Sequence, residues 1–377
     1  MQQILTMFKS DSFKVLKKIG HFAKSAKTIY SEIATCAVFC ALVVKPKEKS
    51  MKAVWYERNG EAKEVLIFGD LPTPQPFDNE VRVKLFASGV NPSDVKSRLA
   101  RPLQEPFIVP HSDGAGIIDA VGQGVDPARL GERVWIWNAQ WQRPMGTSAQ
   151  YVCLPSEQAV HLPDDTSFQE GACMGIPGLT ALQAVRIAGD VTKQTVLVTG
   201  ASSAVGHYVT QMLKRLGAKV IGTVGSAAKA AHAKEAGADN CLFYKTDDVV
   251  AQVKDLTHGK GVDTIIDMDF STTISWVAQG ILRPHGHLVC YGSNPPLEVP
   301  VMFRPLLFNS ISMSFFLVYD LPVQQREPCV QILNRMLENK QLQHTIGATF
   351  SLQETAQAHL TVEMGQTIGN VLIEVDH

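Results

Sequence analysis

The chain has 377 residues, of which 45% are hydrophobic and 19% charged, so its length allows two domains and its composition is that of a globular protein rather than a disordered one. The formal net charge is −1, which excludes a general basic surplus of the kind that binds nucleic acid or an anionic membrane. The seven cysteines are scattered and form no CxxC pair. That spacing argues against a zinc ribbon or a disulfide framework and favours a reducing cytoplasm.

Residues 1–50 differ in composition from the rest of the chain, because they carry nine lysines and no arginine. The apolar run at 33–44 is shorter than the roughly 20 residues that a membrane-spanning helix needs, so we expect no transmembrane segment. Three interpretations stay open: an appended amphipathic helix, a weak targeting or membrane-surface segment, or upstream sequence outside the native product. We favour the first or the third, because Met51 begins a strand-like segment.

The region after residue 50 carries short strand-like segments separated by prolines and glycines. Strands are predicted at 53–56, 64–68, 80–88, 116–121, 131–137 and 149–154. Val81, Val83 and Leu85 alternate with polar residues, which is typical of a half-buried strand. This region predicts a small, partly open β-barrel, and the segment 171–187 after it is predicted to be helical.

The segment 195–226 has the pattern of a strand, a small-residue turn, a helix and a second strand. Such a unit binds phosphate, because unpaired backbone N–H groups and the positive end of the helix dipole face the anion. Gly206 is the final glycine of a dinucleotide fingerprint, whereas Ala201 and Ser203 stand where the strict pattern has glycine. A tight turn in an ordinary α/β protein is the alternative, but the complete strand–turn–helix–strand context favours a cofactor site.

The end of the second strand distinguishes NAD from NADP. A site for NAD usually ends this strand with a carboxylate that accepts from the ribose 2′-hydroxyl. Here Gly225 and Ser226 follow the strand, with Lys229 just beyond and no acid. A hydroxyl, backbone N–H groups and an ammonium suit a 2′-phosphate, so the sequence predicts NADPH, with a merely solvated Lys229 as the alternative.

Alternating strands and helices continue after this unit. Strands are predicted at 241–244, 262–268 and 286–292, with helices at 247–257 and 272–282 between them. This alternation indicates a doubly wound parallel sheet with helices on both faces. After Met313 we expect a strand, a helix at 324–338, a strand, a helix at 352–364 and a final strand at 370–375.

Several short motifs, in this order, resemble one known superfamily. They are Gly89-Val90-Asn91-Pro92, Ser112-Asp113-Gly114-Ala115-Gly116, Ala120-Val121-Gly122, Gly131-Glu132-Arg133-Val134, Gly175-Ile176-Pro177, Thr180-Ala181, Gly200 to Gly206, Gly222-Thr223, Gly225-Ser226, Gly261-Val262-Asp263 and Tyr291-Gly292-Ser293. Over residues 51–377 the chain resembles the medium-chain dehydrogenase/reductase superfamily, in its zinc-free NADPH:quinone oxidoreductase branch related to zeta-crystallin. Residues 1–50 have no counterpart.

The resemblance implies an α/β protein with two domains and a homodimer. A GroES-like β-barrel catalytic domain would comprise 51–174 and 314–377, and a Rossmann NADPH-binding domain would comprise 175–313. It also implies site residues. Asn91 is expected at the nicotinamide end as a catalytic residue together with Asp94, and Ser93 on the substrate side. The other expected cofactor contacts are Ser203, Ala204, Val205 and Gly206 at the pyrophosphate, Gly225, Ser226, Lys229 and Tyr244 at the 2′-phosphate and ribose, and Tyr291, Gly292, Ser293, Phe316, Leu317 and Val318 around the nicotinamide. For Phe316 and Val318, ordinary strand core is an equal alternative.

Three tryptophans lie within seven residues, at Trp135, Trp137 and Trp141. They form either a stacking wall for a flat quinone or ordinary core, and we place Trp141 and Arg143 on the substrate side.

A catalytic zinc needs three Cys, His or carboxylate ligands. Zinc-bearing relatives have a Cys near Asn91 and a His-Glu pair where Ser112 and Asp113 stand. We therefore expect no metal, and His111, which stands where glycine is usual, is more often a turn residue than a ligand. Ser203 and Ala204 also replace the usual glycine pair, so cofactor affinity is expected to be reduced. No tyrosine follows Pro92 in the place where some members of the branch have one, so the proton donor is unassigned.

Without a metal, the acceptor must take hydride readily, as quinones and conjugated enones do. The expected function is zinc-independent, NADPH-dependent reduction of a small-molecule quinone. The first alternative is an enone or enoyl reductase. The alternative of another class is a non-catalytic NADPH- or RNA-binding protein, against which the neutral charge argues.

Overall fold

The computed structural model of the protein describes residues 50–294 and 298–377. The predictions for residues 1–49 lie outside the described residues. The chain starts with an antiparallel pair, β1 (Ser50–Trp55) and β2 (Ile67–Pro72), joined by a one-turn helix α1 (Ala62–Val65). The strand predicted at 64–68 is wrong in its first half. Ala62 and Val65 are both buried three residues apart, and a helical turn, unlike a strand, places such a pair on one face.

A seven-stranded sheet forms the first half of the molecule. Its early strands are β3 (Glu80–Val90), β4 (Asp113–Val121), β5 (Arg133–Ile136), β6 (Tyr151–Pro155) and β7 (Ala159–His161), and helix α2 (Pro92–Ala100) follows β3. Two strands from the end of the chain, β14 (Ile346–Ser351) and β15 (Asn370–Glu374), complete the sheet. The strand order is β14-β15-β3-β4-β5-β7, with β6 pairing β3. Val81, Val83 and Leu85 are fully buried, which confirms the alternation predicted for β3.

The middle of the chain builds a parallel sheet. Helix α3 (Phe168–Gly171) and the π-turn Met174–Gly178 lead into α4 (Leu179–Ala188). The alternating elements are then β8 (Thr195–Val198), α5 (Ala204–Arg215), β9 (Lys219–Val224), α6 (Ala227–Glu235), β10 (Asn240–Phe243), α7 (Val249–Leu256), β11 (Val262–Asp267), α8 (Phe270–Ala278), β12 (Leu282–Cys290), α9 (Phe303–Phe308) and β13 (Ser312–Phe315). The strand order is β10-β9-β8-β11-β12-β13, and every described pair is parallel. The order reverses between β8 and β11, which is where open α/β sheets bind their ligands.

The last segment returns to the first sheet. It comprises α10 (Val323–Glu338), β14 (Ile346–Ser351), α11 (Thr355–Met364) and β15 (Asn370–Glu374), and β15 pairs antiparallel with β3. A single buried cluster joins Trp135 of β5 to α4, α5 and α10. The α/β class and the doubly wound sheet are therefore confirmed, and the boundaries drawn between the two domains stay a prediction. In the described part of the chain, no helix is long and apolar enough to cross a membrane.

Candidate active site

The turn between β8 and α5 brings backbone close to backbone. Ser203 begins the helix and its Oγ accepts from the Gly206 N–H at 3.0 Å. A Cβ added to Gly206 would lie 2.2 Å from the Gly200 carbonyl oxygen, and Gly200 itself has φ +64°. The turn therefore requires glycine at both positions. The first N–H groups of α5 point out of the sheet edge, so this turn suits a diphosphate.

The turn opens into a groove of about 360 Å³ along the carboxyl ends of the parallel strands. Its walls come from both sheets and from α11. The lining residues include Asn91, Ser202, Ser203, Ala204, Gly225, Lys229, Tyr244, Met268, Asp269, Asn294 and Thr361. Val205, Gly206 and Ser226 are not among the lining residues, although each directly adjoins or lies close in sequence to one of them.

One end of the groove carries two ammonium groups. Ser226 begins α6 and its Oγ accepts from the Lys229 N–H. The Lys229 ammonium donates to the Gly365 carbonyl at 2.7 Å, and Lys245 places its own ammonium 6.0 Å from the Tyr244 ring centroid. Partial burial, and then repulsion from Lys245, lower the pKa of Lys229. An anion placed between the two ammoniums would relieve that repulsion. The sequence analysis did not predict a role for Lys245, although this residue directly follows Tyr244.

The other end of the groove is built around Asn91, which precedes α2. Its Nδ2 donates to Asp113 Oδ2 at 2.8 Å, and Asp113 Oδ1 accepts from the Ile176 N–H at 2.8 Å. The Asn91 backbone N–H donates to Asp94 Oδ2 at 2.7 Å. The side-chain amide is thus held in one orientation. Asp94 and Asp113 thus hold the backbone and the side chain of Asn91, which lines the groove although only 6% of it is exposed.

Burial dominates the titration of these two carboxyls. It raises the pKa of Asp94 to about 7, against the opposing hydrogen bonds from Asn91. Burial, and then the nearby charge of Asp94, raise the pKa of Asp113 well above its usual range. Only 5% of Asp94 is exposed, so its carboxyl lies behind Asn91 rather than in the groove.

A buried hydrogen-bond chain continues behind Asp113. Thr147 Oγ1 donates to the Asp113 carbonyl, so it accepts from Ser88, which in turn accepts from His111 Nδ1. His111 Nε2 is then the acceptor for His359 Nε2–H at 2.9 Å. With both imidazoles neutral, this order places the protons on His111 Nδ1 and His359 Nε2, and burial lowers the pKa of His359 well below its usual value. Burial lowers the pKa of His111 to about 3, and His111 has φ +78°, which explains why glycine is usual there.

Two residues predicted on the substrate side, Ser93 and Trp141, both contact Tyr319. The Tyr319 hydroxyl donates to Ser93 Oγ at 2.8 Å, and its ring stacks on Trp141 with centroids 4.8 Å apart. The guanidinium of Arg101 lies 5.1 Å from the Trp141 ring centroid. The sequence analysis did not predict a role for Tyr319, because 226 residues separate it from Ser93. Its only local signal is that it follows the Phe316–Val318 segment.

The other aromatic and cationic residues of this region are less close to the groove. Trp135 is fully buried and donates to Asn334 Oδ1, and Trp137 is 6% exposed, so both belong to the core. Arg143 donates to the Asn138 carbonyl and to Gln158. It lines a second cavity of about 340 Å³ that also contains Trp141 and Arg101.

The residues predicted around the nicotinamide come from two segments of the chain, 291–293 and 316–318. Tyr291, Gly292 and Ser293 precede Asn294, which lines the groove, and a Cβ on Gly292 would lie 2.6 Å from the Met268 carbonyl oxygen. Phe316 lies 6.3 Å from the Tyr291 ring. Leu317 is half exposed, and Val318 is buried in the core. The cofactor roles of these residues stay predictions.

The residues around Asn91 fit a catalytic zinc poorly. The Asn91 amide and the Asp113 carboxylate are already hydrogen-bonded, and both ring nitrogens of His111 are taken by Ser88 and His359. Across residues 50–294 and 298–377, no three His, Cys, Asp or Glu side chains converge as metal ligands. For a dinucleotide, by contrast, the glycine turn provides the close backbone approach that a diphosphate requires.

Comparison with known proteins agrees with this geometry. Residues 77–164 match the family described as alcohol dehydrogenase GroES-like domain, and residues 204–336 match zinc-binding dehydrogenase. The chain is 28% identical over 315 residues to a quinone oxidoreductase of Sus scrofa, covering 83% of this chain and 94% of that one. It is 27% identical over 343 residues to a 2-haloacrylate reductase of a Burkholderia species, covering 86% and 98%.

Two solved structures have the same fold. One is an NAD-dependent alcohol dehydrogenase, 30% identical with a TM-score of 0.79, and the other a mycobacterial protein complexed with NADPH, 28% identical with a TM-score of 0.77. Each similarity covers 86% of this chain and 100% of the other. The chain belongs to the medium-chain dehydrogenase/reductase superfamily, in its quinone oxidoreductase branch. It is an oxidoreductase, and the predicted combination of GroES-like and Rossmann folds is confirmed.

Proposed function

We propose that the protein reduces quinones by hydride transfer from NADPH, without zinc. The observation that carries this proposal is the groove itself. The Lys229 ammonium lines one part of it, where Lys245 lies over the Tyr244 ring, and the amide of Asn91, which is fixed by Asp113, lines another part. The first end suits a 2′-phosphate, and the second suits a carboxamide or the reacting carbonyl. The mycobacterial neighbour complexed with NADPH supports the same cofactor.

The proposed roles follow the groove from end to end. Ser226, Lys229 and Tyr244 hold the 2′-phosphate and ribose, and the turn from Ser203 to Gly206 holds the diphosphate. When bound, the cofactor supplies a hydride. Asn91 orients the nicotinamide end, with its amide fixed by Asp113, and Asp94 acts from behind by fixing the Asn91 backbone N–H. Ser93 and Trp141 face the acceptor.

The proposed acceptor class follows from the limited charge stabilisation that the hydrogen-bond donors of this site provide. The donors that point towards the acceptor are neutral hydroxyls and an amide, which stabilise developing negative charge less than a metal ion does. An acceptor that spreads the charge over a ring or an enolate needs less help. Quinones do this, and the quinone oxidoreductase relatives support them as the first choice.

The second candidate is reduction of an activated carbon–carbon double bond. The 2-haloacrylate reductase relative favours it, and the same hydroxyl pair would serve an enolate oxygen. A non-catalytic NADPH- or RNA-binding role is the candidate of another class. It requires NADPH binding without acceptor turnover, or salt-sensitive binding of single-stranded RNA.

The deciding experiment follows NADPH absorbance on addition of 1,2- or 1,4-quinones and then simple enones, with NADH in parallel. Quinone-dependent oxidation of NADPH, with NADH far slower, is the expected result. Turnover of enones alone would support the second candidate. Cofactor binding with no acceptor reduced would contradict both enzymatic candidates, and a preference for NADH would contradict the roles given to Ser226 and Lys229. Retention of activity after dialysis against a zinc chelator tests the zinc-free proposal.

We further propose a homodimer formed through β13, the edge strand of the parallel sheet. Its backbone edge is free within the described residues, and such edges pair readily with other strands. Large apolar side chains surround it, since Phe303, Phe308 and Phe315 are each at least 60% exposed. We also propose a cytoplasmic location, because the cysteines within the described residues are all free thiols; fractionation of tagged full-length protein tests it.

A further inference from the structure

Tyr319 is held from three sides. Its hydroxyl donates to Ser93, its ring stacks on Trp141 at an interplanar angle of 25°, and its carbonyl accepts from Asn138 at 2.8 Å and from Arg326 at 3.1 Å. Contacts on the ring, the hydroxyl and the backbone leave this side chain one position. A residue fixed in this way beside a cleft is suited to orient another group.

The hydrogens of the two hydroxyls can be assigned. A hydroxyl carries one hydrogen and two lone pairs. Tyr319 donates its hydrogen to Ser93 Oγ at 2.8 Å, so Ser93 uses a lone pair there and keeps its own hydrogen. Among the residues that the structure describes, Ser93 Oγ donates to no acceptor. Ser93 directly follows Asn91 and Pro92, which line the groove, and its hydrogen remains free to donate.

The phenol is suited to donate and not to ionise. Burial, and then the nearby charge of Asp94, raise the pKa of Tyr319 above its usual value. The hydroxyl therefore keeps its proton throughout the physiological range. A permanent donor to Ser93 occupies one of the three staggered positions of the serine hydroxyl and so keeps the serine hydrogen directed away from Tyr319.

We propose that Tyr319 is a positioning residue, which aims the Ser93 hydroxyl at the acceptor oxygen where negative charge develops during reduction. This inference rests on the proposed function. The acceptor takes a hydride from NADPH, which leaves as NADP⁺, and the electron pair displaced from the acceptor's π bond moves to its oxygen. That oxygen receives the Ser93 hydrogen bond and then a proton from water. Tyr319 thus acts through Ser93, although 226 residues separate the two.

A double-mutant cycle tests the proposal. Tyr319→Phe keeps the ring that stacks on Trp141 and removes only the hydroxyl. We expect kcat for quinones and enones to fall about 10- to 100-fold, since the lost group acts on a donor to developing charge, with the KM for NADPH unchanged. Ser93→Ala should cost at least as much, and adding Tyr319→Phe to it should cost little more. Tyr151→Phe, a tyrosine of β6 in the same sheet, is the matched control and should leave kcat unchanged.

The outcomes separate the two levels of inference. Wild-type turnover with an unaffected Tyr319→Phe variant overturns the positioning role. So does a Tyr319→Phe loss that multiplies fully with the loss from Ser93→Ala, because independent effects mean that Tyr319 does not act through Ser93. An increase in the KM for NADPH alone would assign Tyr319 to cofactor packing instead. A wild-type protein that reduces neither class of acceptor overturns the proposed function, and this inference with it.

Discussion

Replacing Ser226 with aspartate tests the proposed cofactor site with little disturbance of the fold. Ser226 begins α6 and its Oγ accepts from the Lys229 N–H. Aspartate is as good a residue as serine at this position of a helix, so the helix should keep its hydrogen bond and its stability. The change adds one negative charge beside Lys229 and Lys245, at the place proposed for the 2′-phosphate.

The expected magnitude follows from the charges and their exposure. A phosphate with about two negative charges, roughly 5 Å from the new carboxylate, would be repelled by about 7 kcal/mol at an effective dielectric constant of about 20. The actual repulsion should be smaller, because Tyr244 is 49% exposed and solvent at this open site screens the charges. We therefore expect about 2–3 kcal/mol, or roughly 30- to 150-fold weaker NADPH binding.

The same substitution should tighten the binding of NADH, because the new carboxylate accepts a hydrogen bond from a ribose 2′-hydroxyl. A gain of about 1 kcal/mol corresponds to about fivefold tighter NADH binding. Fluorescence titration of both cofactors at low salt measures the ratio of their Kd values, and raising the salt should reduce the effect on NADPH. Ser226→Ala separates loss of the helix-capping oxygen from the added charge.

Two lysine variants test the contribution of the Lys229 charge separately from that of Ser226. Lys229→Ala should weaken NADPH binding about 10-fold or more and leave NADH binding nearly unchanged. Lys219→Ala removes the same charge at the opposite end of β9, where the side chain is exposed, and should affect neither cofactor. If Ser226→Asp and Lys229→Ala leave the ratio of NADPH to NADH affinity unchanged, the 2′-phosphate does not lie at the start of α6 and the reasoning is refuted.

Three further predictions concern stability and assembly. Gly206→Ala should destabilise the fold by about 1–3 kcal/mol, because the added Cβ meets the Gly200 carbonyl oxygen at 2.2 Å; an unchanged midpoint of thermal unfolding would contradict this. Gly131→Ala, whose Cβ meets nothing within 4 Å but whose φ is +85°, measures the separate cost of a positive φ, which Gly206 does not have. Phe315→Asp should convert the proposed dimer to a monomer in sedimentation velocity, whereas a wild-type monomer would contradict the proposal itself. For His111, the folded pKa of about 3 lies below the unfolded value of about 6.5, so its contribution to stability is intact above pH 6.5 and is lost as the pH falls towards 3. Between pH 7.5 and 5, wild type should therefore lose about 2 kcal/mol relative to His111→Asn, and a constant difference in unfolding free energy would contradict the neutral histidine pair.

The sequence predicts those parts of the fold whose determinants are local. The β8–α5–β9 unit was predictable because the apolar runs, the small turn residues and the helical spacing all lie within about 30 residues. The one-turn helix α1 was not, because four residues are too few for helical periodicity to be distinguished from strand alternation. The burial of Ala62 and Val65 on one face becomes evident only in the folded chain.

The candidate site shows the same division between local and distant determinants. Ser203, Ala204, Gly225 and Lys229 were predicted, and the structure brings them to one groove because each follows a strand of one parallel sheet. Tyr319 could not be predicted, because its pairing with Ser93 requires the turn after β13 to meet helix α2, 226 residues away in the sequence. Sequence spacing carries no information about that meeting.

The two ends of the groove differ in what can be changed without loss of function. At the cofactor end, the ligands are exposed side chains and a helix start, so single substitutions should alter the choice between NADPH and NADH while the fold persists. At the other end, Asn91 is held by Asp113, and Asp113 is held in turn by Ile176 and, through Thr147, by the buried histidine pair. Each of these groups is hydrogen-bonded to the next one. Removing one of them therefore leaves a buried polar group unsatisfied, which lowers the stability of the fold by about 1–3 kcal/mol. We therefore expect substitutions at Ser93, Trp141 and Tyr319, which do not belong to that chain of buried hydrogen bonds, to leave the fold stable even where they lower turnover.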